Sequence, residues 1–108
     1  MKIETGVCVV ISLHSPREKA WGLLVSIDSA GVQIRGLDIN TFDDWVGAIS
    51  CGEHNIGLTY TFVPMWRLER ISLDESLGDI LSLEEQFAIR TGVSLSDYLE
   101  SGQGGLVS

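Results

Sequence analysis

Residues 21–39, WGLLVSIDSAGVQIRGLDI, run an apolar segment into an Asp-Ser-Ala-Gly link and straight out into a second apolar segment. Two β-prone segments with so short a connection form an antiparallel hairpin, and Gly31 is expected to supply the positive φ of a tight turn. Any fold open to the chain must be built around that hairpin.

A chain of 108 residues is one domain, able to bury roughly 65% of its unfolded surface, so neither a disulfide nor a metal is required for folding. Its 44% hydrophobic content and mean hydropathy of +0.22 are high for this size. Part of the apolar surface is therefore expected to be covered by another chain. The formal net charge of −8 is uneven: residues 1–70 hold eight acids against six bases, and residues 71–108 hold seven acids against Arg90 alone. A near-neutral body with an acidic tail lacks the cationic footprint that neutralises phosphates, which disfavours nucleic acid and anionic membranes. With no secretory leader, Cys8 in an apolar segment and Cys51 in a loop read as reduced thiols of a cytoplasmic protein, although a bridge between them stays open. No apolar run approaches the ~20 residues of a membrane-spanning helix.

Five strands are expected. Residues 6–13 (GVCVVISL) are apolar on both faces, and a polar turn follows at residues 14–19. The second strand covers residues 20–28. In the third, Val32 and Ile34 share one parity while Leu37 and Ile39 have the other, so Gly36 marks an expected bulge or corner. The period then changes: Phe42, Trp45, Val46 and Ile49 line one face of a short helix over residues 41–49, capped by Thr41 or Asn40 and reading as a lid inserted between strands. The fourth strand, LTYTFV over residues 58–63, alternates with Leu58, Tyr60 and Phe62 inward. Pro64 ends it, Met65, Trp66 and Arg67 fit a single 3₁₀-type turn, and residues 68–73 resume an extended pattern. Beyond Asp74 the chain is expected to be helical: Ser82 and Glu85 make a capping box, Gly92 stops that helix, and Ser94 with Asp97 opens another running to Gly102. Leu81, Phe87, Ile89 and Leu99 are the apolar residues expected to pack this tail, and residues 103–108 are expected to fray.

Five such strands, a bent third strand and a proline-led turn before the last strand resemble a small, strongly bent antiparallel barrel of the Sm-like or Src-homology type. The expected architecture is thus a mainly β barrel over residues 1–75, with the helical insertion, followed by an acidic helical extension over residues 76–108. Gly22, Leu24 and Asp28 resemble the Gly-x-Leu-x-x-x-Asp core of the first Sm motif. The departures are equally specific. Sm-like proteins bind RNA with a polar residue after the Asp loop and an Arg-Gly type turn between the last strands; here Val32 and the run Val63, Pro64, Met65, Trp66 stand in those places. What the resemblance implies is architecture and assembly, since Sm-like domains pair their fourth and fifth strands edge to edge into rings. The segment over residues 62–75 also resembles a bacterial group of such barrels to which no activity attaches.

Candidate chemistry is thin. Cys51, Glu53 and His54 share a loop that His14 would approach from the first turn, but the spacing matches no zinc pattern and the set reads as a polar loop. There is no phosphate-binding glycine loop, no supported carboxylate pair and no nucleophile with a local base, so the chain is read as non-enzymatic and without a cofactor. Phe42 and Trp45 are expected to cap an open barrel end. Trp66, beside Pro64 in a tight turn, is expected at the surface, and with Arg67, Arg70, Ile71 and Leu73 it marks the candidate contact with a partner or neighbouring subunit. The leading expectation is a homo-oligomeric scaffold or protein-binding module; the alternative is a divergent RNA-binding ring.

Overall fold

The computed structural model describes residues 3–53 and 56–100. In chain order these form β1 (Cys8–Leu13), β2 (Glu18–Asp28), β3 (Gly31–Asp38), a 3₁₀ turn (Ile39–Thr41), α1 (Phe42–Ser50), β4 (Thr59–Pro64), a second 3₁₀ turn (Met65–Arg67), β5 (Leu68–Leu73), α2 (Leu83–Thr91) and α3 (Leu95–Glu100). The protein is mainly β. Two compact units are present, one drawn from Met1–Asn40 and Thr59–Asp74, the other from Thr41–Leu58 and Glu75–Ser108.

The first unit is a five-stranded antiparallel sheet in the order β4-β3-β2-β1-β5. β4 and β5 are its two edges and are not paired with each other, so the sheet is open where the sequence reading expects a closed barrel. Val9, Ile11, Leu13, Leu24, Val32, Ile34 and Val63 form its core on one face, with Val7, Ala20, Leu68, Ile71 and Leu73 packed around them. The opposite parity carries Cys8 and Trp21, both buried, and the Trp21 indole N–H donates to Asp74 Oδ2 at 2.9 Å.

The β2–β3 hairpin forms as expected, but by different means. Asp28 Oδ1 accepts from the Ala30 and Gly31 backbone N–H groups, holding Ser29 and Ala30 as the turn. Gly31 is not at positive φ. It is required because a Cβ there would collide with the Val63 carbonyl oxygen and lie within 3.0 Å of the Phe62 ring. The irregularity expected at Gly36 lies instead in β2, between Leu24 and Ser26, while β3 runs through Gly36 in unbroken register with Gly22. Leu37, of the other parity, stands opposite Trp21 and shares its face of the sheet.

The second unit is built on α1, α2 and α3. Trp45 stacks on Phe87 with centroids 5.0 Å apart, and Tyr98 meets both rings edge-on at 6.3 and 5.6 Å. The Ile56 carbonyl oxygen accepts from the Tyr98 hydroxyl at 2.7 Å and from the Trp45 indole at 3.2 Å. Burial pushes the Tyr98 phenol above its usual pKa. Ser82 caps α2 by accepting from Glu85 N–H, and Gly92 closes it at φ 81°, both as expected, while the Ser82 N–H that a full capping box would give to Glu85 donates to Ser76 Oγ. Arg90 pairs with Asp43 at 2.8 Å. Two expectations for the tail fail. The start of the tail is no helix, since Leu77 and Ile80 form a β-bridge, and of the expected packing residues Ile89 and Leu81 are 68% and 40% exposed, leaving Leu95 and Tyr98 beside Phe87 as the buried apolar residues. α3 ends at Glu100; the expected stop at Gly102 and the fraying of residues 103–108 lie outside the described residues.

Candidate interaction surface on the sheet edges

β4 departs from the sequence reading where it matters most for function. Tyr60 and Phe62, expected inward, are 61% and 58% exposed, and only Val63 of this strand is buried. The register explains it: Val63 stands opposite Val32 on the core face, so Phe62, opposite Gln33, and Tyr60, opposite Arg35, must take the other one. The alternation was legible; which face would be covered was not.

The hydrogen-bond phase decides which backbone groups the edge offers. Met65 N–H donates to the Ala30 carbonyl oxygen at 3.0 Å, and bonded pairs alternate along an antiparallel ladder. Val63, Thr61 and Thr59 therefore bond to β3, and the N–H and C=O groups of Tyr60 and Phe62 point away from it. Pro64 falls at an outward position, where its missing N–H costs no ladder bond. On β5 the same reasoning starts from Asp74 N–H donating to the Cys8 carbonyl oxygen at 3.0 Å. Ser72 and Arg70 then bond to β1, and the backbone groups of Ile71 and Leu73 face outward. Each edge is six residues long.

The turn between the two edge strands carries Trp66, 65% exposed as the sequence suggests. Arg67 is not free for a partner. Its guanidinium donates to the carbonyl oxygens of His14 and Pro16 at 3.1 and 2.8 Å and lies 3.4 Å from Glu18, tying this turn to the β1–β2 turn. Arg70 is exposed on the edge, and Ile71 and Leu73 are half-buried against the core. Sequence reasoning missed Arg35: its guanidinium lies 5.2 Å from the Tyr60 ring centroid, a cation–π contact, and its buried Nε has no hydrogen-bond partner among the described residues.

The residues carrying the Sm resemblance all have structural work. Gly22 lies against Gly36, Leu24 is a core residue, and Asp28 builds the hairpin turn. Cys8, buried, and Cys51, exposed, form no disulfide among the described residues. Among the described residues no three His, Cys, Asp or Glu side chains are placed to hold a metal ion; His54 lies outside them. No described helix is long and apolar enough to cross a membrane. No protein family, curated protein or solved structure matches this chain.

Proposed function

We propose that the protein is a non-enzymatic, Sm-like module that assembles with copies of itself, β4 of one copy pairing with β5 of the next, to form a scaffold for other proteins. The observation that carries this reading is the pair of open edges. Each presents backbone donors and acceptors over six residues, at Tyr60 and Phe62 on one side and at Ile71 and Leu73 on the other. An edge left open in this way is a template for another strand. Joining two different edges is a heterologous contact, which closes into a ring when the rotation permits. The strand order, with β5 beside β1 and a 3₁₀ turn leading into it, supports the small-barrel comparison. Native mass spectrometry of untagged protein tests the reading. A discrete multimer supports it, and a monomer at tens of micromolar removes it.

A second reading has its own observation. Tyr60 and Phe62 expose two rings on one face of the sheet, beside Arg35, an arrangement on which unpaired bases stack. Such a divergent RNA-binding ring has little electrostatic help, because the segments of the first unit balance six acids against six bases. Titration with a single-stranded oligonucleotide at low salt separates the two, binding that is lost in Tyr60→Ala being the result that favours RNA.

A further inference from the structure

The whole net charge of −8 resides in the segments of the second unit. Thr41–Leu58 and Glu75–Ser108 hold nine Asp and Glu residues against Arg90, and Arg90 is already engaged by Asp43. Within this acidic unit Leu77 and Ile80 are 67% and 72% exposed, with Leu81 also exposed.

Their exposure is held in place. Leu77 and Ile80 exchange both backbone hydrogen bonds at 2.9 Å, and Gly78, at φ 59°, takes the first central position of the two-residue turn between them. Residues paired in this way project their side chains to the same side. The base of the turn is tied down as well: the Ser76 hydroxyl bonds to the Glu85 carboxylate and accepts from Ser82 N–H at 3.1 Å. The result is a rigid pair of apolar side chains, flanked by exposed Glu75, Asp79, Glu84 and Glu85. Ile89, one turn beyond Glu85 on α2, extends the apolar character along the same helix.

We propose that this turn docks a basic amphipathic segment of another protein, one that seats Leu77 and Ile80 in an apolar pocket rimmed by Lys or Arg. Charge complementarity selects this occupant. A second copy would bring an equally acidic unit against the first, and nucleic acid or an anionic bilayer has the wrong sign. Pre-ordering by the bridge and the Ser76 bonds lowers the entropy lost on docking. The site uses none of the edge-strand residues, and the proposal does not require that the chain assemble.

The test is a fluorescence-anisotropy titration of the full chain with a labelled amphipathic Leu/Lys peptide of about 16 residues, alongside an oligolysine of equal charge. Saturable binding is expected, tighter for the amphipathic peptide and weakened by salt. The double variant L77S/I80S should lose about tenfold or more in affinity with an unchanged circular dichroism spectrum. Asp79→Asn should lose less and flatten the salt dependence. Absence of binding overturns the proposal; so does equal binding of both peptides, or an affinity that L77S/I80S leaves intact.

Discussion

Gly22 and Gly36 stand directly opposite each other on β2 and β3, and a Cβ on either would strike the backbone of the other strand. Backbone cannot rotate aside as a flexible side chain can, so the contact must be relieved by spreading the sheet. Gly36→Ala is expected to destabilise the protein by about 2–4 kcal/mol in urea unfolding. Gly47 is the control. It lies inside α1 with open space where its Cβ would be, so Gly47→Ala should stabilise by about 0.5–1 kcal/mol. Equal responses at the two positions would show that the close approach of β2 and β3 does not exist.

Asp28 is the acidic residue of the Sm resemblance, and its visible role is local. Its Oδ1 accepts from Ala30 at 2.8 Å and from Gly31 at 3.3 Å, both in the exposed hairpin turn. Asp28→Ala is expected to cost about 1 kcal/mol, and Asp28→Asn, which keeps an acceptor, should recover most of it. Thermal unfolding of the two variants checks this.

How much of this was readable beforehand follows a physical line. Elements with local chemistry were legible: the short hairpin link, the Ser82 cap with Glu85, Gly92 at the end of α2, and the turn over Met65, Trp66 and Arg67. Features settled by distant partners were not. The alternation of LTYTFV is visible, but that Tyr60 and Phe62 face away from the core follows only from Val63 meeting Val32 across β3. Trp45 also meets the Phe87 and Tyr98 rings, 42 and 53 residues further along the chain, and no local pattern links it to them. Gly78 stands at positive φ in a tight turn closed by Leu77 and Ile80, where the sequence reading places helix from Asp74 onward.

Tyr98 makes the stability of the second unit sensitive to alkali. Burial holds its phenol above the ordinary pKa of about 10. As pH rises past the unfolded value, the unfolded chain releases its proton first, while the native state still binds it. Stability is therefore complete below about pH 10 and falls through the interval up to the raised native pKa. Tyr98→Phe removes that dependence but also the donor to Ile56, costing about 1 kcal/mol at neutral pH. Urea midpoints at pH 8 and near pH 10.5 should converge for the variant and diverge for the parent. A parent protein equally stable at both would contradict the burial of the phenol.

The edge-pairing reading is best tested at Phe62, for a reason that lies in the core. Ile71 and Leu73 present outward backbone on β5, but their side chains pack against Val9, Ile11 and the rest of the sheet core, so Ile71→Glu would weaken the monomer and its assembly together. Phe62 is 58% exposed on the opposite face of β4, where a lysine keeps a solvated head group at little cost to the folded chain. Phe62→Lys also places a positive charge on an edge strand, a standard obstacle to strand addition. If copies join through β4 and β5, Phe62→Lys should be monomeric in native mass spectrometry, with an unfolding free energy within about 0.5 kcal/mol of a dissociated parent. A multimer that survives this change with its stoichiometry intact would place the subunit contact elsewhere than on the β4 edge.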